Sequence, residues 1–368
     1  MHIQSLNLTF FRNYEALQID FSQGVNCITG KNGAGKTNML DALHFLSMTR
    51  GFRSSQDKQA VKEKEAFFLI EGKWQKAQDT HLLQCNFMAG KGKKILLNGS
   101  PLERFSEHIG NLPLVAVLPS DTELINGGGT VRREFVDSLI SQYNRAYLQQ
   151  LILYKKCLEQ RNALLKSFAE NRYFDKEQLA LWNMQLIPAG RYIWAERQAF
   201  LGAFLPIFES YFHKIVSASE NPSISHESKI KENSVEEWKS LFRENEMRDA
   251  INQNTSIGTH KDDWTFLIHD ISAKHYGSQG QQKTFTIALK LAQYDLLAQQ
   301  KGFAPLLLLD DIFDKLDTFR LESIAQILDK HIEGQVFITD TSQERLAAVF
   351  ADSHREVKFF EVDDISRR

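Results

Sequence analysis

The sequence predicts an α/β fold in which a P-loop domain is split by a mostly helical insertion. Three observations predict it. The stretch GKNGAGKT at residues 30–37 follows the strand-like run VNCI and precedes a helical pattern. The segment PLLLLDD at 305–311 has the character of a buried central strand ending in two acids. Between these, the tract NGGGT at 126–130 marks a change from short strand-like segments to long helical stretches.

Taken in order, residues 1 to about 120 are β-rich. Alternation at Ile3, Leu6, Leu8 and Phe10 is followed by Leu17, Ile19 and Phe21, and then by AFFLIEG, HLLQCNFMAG and KKILLNG. Just after the glycine loop, Met39, Leu40, Leu43 and Leu46 recur at helical spacing. Beyond NGGGT, apolar residues at three- and four-residue steps run from Val131 to Phe168 and again from Leu181 to Phe212, and helical texture persists to about residue 253. From about residue 255 strand and loop signals return, then helix and strand alternate. This order predicts an ATPase domain over 1–130 and 255–368, with a helical insertion over 131–254. There is no internal repeat and no low-complexity segment.

Composition bounds the function. With 368 residues and 42% hydrophobic content the chain can bury a large core, and a net charge of −2 excludes a protein coated in positive charge while leaving room for a local basic face. Cys27, Cys85 and Cys157 lie far apart, which suggests neither a disulfide framework nor a zinc site and fits a reducing cytoplasm. The N-terminus lacks the basic start and apolar core of a signal peptide, and no run approaches the ~20 apolar residues of a membrane span.

The loop spacing is that of a phosphate-binding site. Gly30, Lys31, Asn32, Gly33, Ala34 and Gly35 would wrap backbone N–H groups around a nucleotide phosphate, with ATP the expected ligand. Lys36 would reach the β- and γ-phosphates, and the Thr37 hydroxyl would ligate Mg²⁺. A glycine turn followed by Lys-Thr by chance is the plainer alternative, and the strand, loop, helix context argues against it. Asp310 is expected to hold Mg²⁺ and Asp311 to orient the attacking water, so Lys36, Asp310 and Asp311 form the expected catalytic set. Between these motifs, Gly277, Ser278, Gln279, Gly280 and Gln281 precede an apolar helix and predict a second anion site at a helix N-terminus, with a simple serine cap as the alternative.

GSQGQ, placed ahead of LLLLDD and DKLD, resembles the signature loop of the ABC ATPase superfamily. Nearly the whole chain resembles the RecF family, recombination mediator ATPases related to the heads of SMC proteins. The residues that carry the resemblance are FFRNY at 10–14, GFRS at 51–54, YKKCLEQRNALLK at 154–166, GTHKDD at 258–263 and SQGQQK at 278–283. The resemblance implies an ABC/SMC-head-like ATPase domain, with the insertion as its lobe II, and a weak, DNA-stimulated ATPase that forms a homodimer on ATP. Ser278, Gln279, Gly280 and Gln281 would then act in trans on ATP held by the partner's loop, and Asp317 would lie in the loop that crosses the dimer interface. Arg12, with Asn13 and Tyr14, would contact the nucleoside. Double-stranded DNA, gapped or single-strand/double-strand junction DNA, and the mediators RecR and RecO are the implied partners. Recombinase loading at gaps, in DNA replication, DNA repair and the SOS response, is the implied role.

The chain departs from the ABC pattern in three places. VFITDTS leaves Asp340 where a histidine usually stands, and Asp311 replaces the usual catalytic glutamate, so hydrolysis is expected to be slow. No Q-loop glutamine is evident, and VLPSDTE at 117–123 stands roughly in its place.

Positive charge gathers at Arg132, Arg133, Arg145, Lys155, Lys156, Arg161 and Lys166 of the insertion and at Arg53. Arg53, Lys155, Lys156 and Arg161 are the expected DNA contacts, although the set does not fall on one helical stripe and part of it is ordinary solvated surface. Competing functions are an ABC transporter-type subunit, which usually lacks such an insertion, and an ATP-bound DNA clamp without significant hydrolysis, against which Asp311 argues. An SMC fragment would carry heptads rather than Pro188 and Pro206, and a P-loop kinase has no use for SQGQQ. His260, Lys261 and Asp262 suit a structural cluster better than a catalytic one.

Overall fold

A computed structural model describes residues 1–54, 56–216, 220–314 and 316–362. The chain divides into two compact units: Met1–Asp121 with Tyr211–Ser217 and Lys283–Arg368, and Thr122–Ser210 with Ala218–Gln282.

Its strands, in chain order, are β1 (His2–Phe11), β2 (Tyr14–Asp20), β3 (Val25–Thr29), β4 (Phe67–Lys76), β5 (Asp79–Met88), β6 (Gly92–Leu97), β7 (Ser100–Pro101), β8 (Leu114–Val117), β9 (Pro222–Glu227), β10 (Asp263–Ile268), β11 (Ile271–Ser272), β12 (Leu306–Asp310), β13 (Val336–Asp340) and β14 (Val357–Glu361). The first unit holds two sheets. One is antiparallel, in the order β2-β1-β4-β5-β6-β7. The other is parallel, in the order β14-β3-β13-β12-β8.

The two sheets differ because their sequences differ. Every residue of β3, β12 and β13 is buried, as a parallel strand covered on both faces requires. By contrast β4 alternates, with Phe68, Ile70, Gly72 and Trp74 inward. The helix Lys36–Met48 packs on that inward face, so Met39, Leu40, Leu43 and Leu46 share one core with Ile3, Leu6, Leu8, Phe11, Phe68 and Ile70. At Gly72 any Cβ would collide with the Leu46 side chain, so only glycine admits so close an approach of helix to strand.

Sheet order positions the functional loops. The glycine loop leaves β3, the paired acids leave β12, and β13 runs between them. Register puts Thr339 of β13 opposite Asp310 on one side and Ile28 on the other. Ligand sites of such sheets lie beyond the C-terminal strand ends, which is where these three segments finish.

The second unit contains the helices Gly129–Tyr143, Arg145–Asn171, Val235–Glu244 and Glu246–Asn252, together with most of Lys176–Ile215, whose 40 residues include Pro188 and Pro206. Asn144 caps the helix that starts at Arg145, its side chain accepting from the Tyr147 N–H. A three-stranded sheet, β11-β10-β9, completes the unit. The strand β9 lies inside the segment read from sequence as helical. Because β10 pairs with β9 over six residues, β10 packs with the insertion, and the second unit extends to Gln282 rather than ending near residue 254.

Candidate nucleotide site and nucleic-acid interface

The glycine loop has the backbone its composition demands. Gly30, Gly33 and Gly35 have φ of 146°, 83° and 122°, and a Cβ on Gly35 would sit 2.7 Å from Asn13 Nδ2 and 2.8 Å from the Tyr14 hydroxyl. The helix that follows has no side-chain cap, so its first N–H groups and the positive end of its dipole are left for an anion. Lys36 is buried, and its ammonium donates to Gly30 O (2.9 Å) and Lys31 O (3.1 Å), spanning the loop where phosphate oxygens would compete for it.

Thr37 donates to Asp310 Oδ1 at 3.0 Å, which brings the two expected metal ligands together across 273 residues of sequence. The same oxygen accepts from Thr339 Oγ1 at 2.7 Å, and the Asp311 N–H donates to that hydroxyl at 3.1 Å. Burial pushes the Asp310 carboxyl above the usual carboxylate range, and the bonds from Thr339 and Thr37 offset part of the shift. Asp311 is raised as well, by burial first and then by the neighbouring charge of Asp310. The Thr37 hydroxyl and the Asp310 carboxylate, two hard oxygen donors, meet beside the glycine loop. That donor set fits Mg²⁺.

A chain of hydrogen bonds buttresses the loop. Asn13 Nδ2 donates to Ala34 O (2.7 Å), Tyr14 donates to Gly35 O (3.1 Å), Asn38 Nδ2 donates to Asn13 Oδ1 (2.7 Å), and Arg53 Nη1 donates to Asn38 Oδ1. Arg53, expected on a DNA face, therefore stands beside the nucleotide loop. Arg12 is paired with the buried Asp41 at 2.7 Å, and Asp41 also accepts from the Phe52 N–H. Arg12 thus ties FFRNY to GFRS, and Asn13 is the member of its pair that touches the loop.

In the second unit, Ser278 and Gln281 cap reciprocally: the Ser278 N–H donates to Gln281 Oε1 at 2.9 Å and the Gln281 N–H donates to Ser278 Oγ at 3.2 Å. Within one chain this is the serine cap of the plainer reading. Ser278 and Gln279 are nevertheless exposed at the start of the helix Gln279–Lys301, and Tyr276 beside them is 78% exposed. Asp317 caps the helix Thr318–Lys330 and pairs with Arg320 at 2.7 Å. Lys315 of the DKLD segment lies outside the described residues. Asp340 is buried, accepts from the Ser342 N–H at 2.8 Å and faces Arg345 at 3.4 Å, so it organises the turn after β13. In VLPSDTE, Asp121 accepts from the Leu118 N–H and pairs with Lys290 at 2.9 Å.

The basic residues separate into two groups. Lys155 and Lys156 are exposed. Arg161 is fully buried, bonded to Asp249 (2.8 Å), Thr255 (2.7 Å) and Asn183 (2.9 Å), which corrects its expected place among DNA contacts: a guanidinium spent on a buried carboxylate cannot reach a phosphate. Sequence reasoning took it for a surface cation because helical spacing gives burial no sign when the partner acid lies 88 residues away.

GTHKDD also becomes legible only in three dimensions. Asp262 and Asp137 hold the buried Arg197, Asp263 holds Arg132 in a two-pronged pair, and His260 lies between the Tyr154 hydroxyl (2.8 Å) and Thr255 O (3.0 Å). Burial pushes the His260 imidazole down to about 4, so it is neutral at pH 7. His260, Asp262 and Asp263 are thus each tied to neighbours within the second unit. Among the described residues no helix is long and apolar enough to cross a membrane.

Comparison with known proteins gives the family and the fold. The family model for the RecF/RecN/SMC N terminal domain matches residues 2–363. The DNA replication and repair protein RecF of Flavobacterium johnsoniae is 41% identical over 360 residues, covering 98% of this chain and 99% of that protein. The protein of the same name from Cytophaga hutchinsonii is 39% identical over 363 residues, covering 99% and 95%. Among solved structures, the recombination mediator protein RecF-ATP in the RecFOR pathway superposes with a TM-score of 0.86 at 29% identity, covering 93% of this chain and 92% of that one. An Smc head domain from Pyrococcus furiosus, with a TM-score of 0.54 at 17% identity and coverage of 95% and 91%, shares the fold.

Proposed function

The chain belongs to the RecF family, and from that premise we propose that it is an ATP-dependent DNA-binding protein of replication and recombinational repair with weak, DNA-stimulated ATPase activity. The observation that carries the reading is the meeting of Lys36, Thr37 and Asp310 at one end of the parallel sheet. ATP phosphates would occupy the glycine loop, with Lys36 exchanging its two carbonyl partners for phosphate oxygens. Thr37 and Asp310 would hold Mg²⁺, which neutralises developing phosphate charge. Asp311, whose carboxyl burial and then the charge of Asp310 raise above the usual carboxylate range, would take a proton from the attacking water.

The exposed Ser278 loop supports a second role, closure over ATP on a second copy of the chain. Its hydroxyl and helix N-terminus offer donors to a phosphate that the chain's own fold leaves facing solvent. ATP would then drive homodimerisation, and dimerisation would assemble the basic surface carrying Lys155 and Lys156 into a duplex-binding groove. Double-stranded DNA near a single-strand gap, with RecR and RecO acting alongside to load recombinase, is the setting this reading implies; relatives solved in the RecFOR pathway support it. The alternative, an ATP-bound clamp without significant hydrolysis, has no use for the second acid, Asp311.

Sedimentation with and without ATP, each with and without duplex DNA, tests the proposal when paired with a phosphate-release assay. A dimer that forms only with ATP and binds duplex more tightly is the expected result. A monomer under every condition would overturn it, and a dimer without phosphate release would leave the clamp.

A further inference from the structure

Thr339 is the last residue but one of β13 and is completely buried. The strand residues before it, Val336, Phe337 and Ile338, are apolar and equally buried, so packing alone would be served by valine. The hydroxyl it carries instead donates to Asp310 Oδ1 at 2.7 Å and accepts the Asp311 N–H at 3.1 Å. One donated and one accepted bond leave a hydroxyl no rotational freedom. Thr37 reaches the same Oδ1, so the two threonines fix the carboxyl orientation from two sides. Asp311 meanwhile has φ of 48°, a left-handed conformation that non-glycine residues adopt at a cost unless their surroundings hold them there.

We propose that Thr339 is a positioning residue that ties the two acids of the nucleotide site together through one hydroxyl, orienting the Asp310 carboxylate toward a divalent cation and holding the Asp311 backbone in its left-handed turn. The inference deepens the ATPase reading and rests on it. Both bonds of the hydroxyl go to the two acids. It acts through Asp310, whose oxygen must point at the cation, and through Asp311, whose carboxylate direction follows its backbone. β13 is the strand that can supply such a group, since it alone borders both β3 and β12.

Thr339→Val removes the hydroxyl at nearly constant shape, and Thr339→Ser keeps it while losing a methyl. Three measurements separate a positioning role from a merely structural one: binding of a fluorescent ATP analogue in EDTA and across a Mg²⁺ titration, kcat against KM by phosphate release, and thermal melting. The expected valine variant binds the analogue normally in EDTA, needs about tenfold more Mg²⁺ for full binding, and loses about tenfold or more in kcat with little change in KM, the scale expected when a hydrogen bond to a charged group is removed. Serine restores both. Should valine lower the melting temperature, Thr339→Cys, similar in size to serine but a weak hydrogen bonder, is expected to show the same Mg²⁺ and kcat defects.

A valine variant with the wild-type Mg²⁺ requirement and kcat would overturn the proposal. So would serine failing as valine fails, because the methyl rather than the hydroxyl would then matter. If the wild-type protein released no phosphate, the ATPase reading would fall, while the Mg²⁺ dependence of binding would still decide whether Thr339 orients Asp310.

Discussion

Thr37 and Asp310 are 3.0 Å apart although 273 residues separate them. This contact joins the first third of the chain to the last and places a hydroxyl and a carboxylate beside the phosphate loop. On the proposed reading, nucleotide binding, metal binding and water activation all depend on it.

Lys36→Ala should lose ATP-dependent behaviour, because backbone dipoles and the helix end alone then hold the phosphates. Loss of a charge-assisted contact predicts ATP binding weaker by about tenfold or more, read by titration with a fluorescent analogue. Lys36→Arg should bind ATP yet hydrolyse it poorly, since a planar fork does not replace a compact ammonium that now donates to Gly30 O and Lys31 O. Equal turnover by wild type and Lys36→Ala would remove the loop assignment.

Ser278→Arg should bind ATP but neither dimerise nor hydrolyse it, because the exposed loop would act on the partner's nucleotide and not on its own. A mixture with Lys36→Ala should recover at most one working site per dimer, visible as partial phosphate release. Asp311→Asn should accumulate the ATP-bound dimer in sedimentation, because closure needs the loop while turnover needs the carboxylate. Normal dimerisation by Ser278→Arg would dismiss the sandwich.

Charge reversal of Lys155 and Lys156, both exposed, should weaken duplex binding and leave ATP-driven dimerisation intact. Each phosphate contact contributes about 0.9 logarithmic units of affinity per tenfold change in salt, so losing two contacts should flatten the salt slope by about 1.8. Binding measured by anisotropy across a salt series reads the slope directly, and an unchanged slope would put the DNA elsewhere.

Arg161→Ala should leave Asp249 as an unpaired buried charge and take one hydrogen bond each from Thr255 and Asn183, costing about 3–5 kcal/mol of stability. Chemical denaturation should show a lower midpoint. A melting curve like that of wild type, with weakened DNA binding, would reinstate Arg161 as a surface contact.

How far the molecule was legible beforehand depends on the range over which each feature is encoded. The glycine loop, its helix and the leucine run before Asp310 are local: spacing dictates backbone conformation within a few residues, so their place in an α/β ATPase fold could be read directly from the chain. Tertiary structure decided the rest, because it depends on partners distant in sequence. β9 escaped notice because its six residues sit in a largely helical stretch, and only pairing with β10 makes them a strand and moves the boundary of the helical unit to Gln282. Arg161 and Lys155 are both cations on one helix, yet a carboxylate at 249 buries one while the other stays in water. Thr339 carries no local signal in the sequence, because only the sheet order sets it between the loop and the acids. Local spacing specifies which groups the chain carries, whereas the low-dielectric interior, where each buried polar group must find a partner, decides which of them meet.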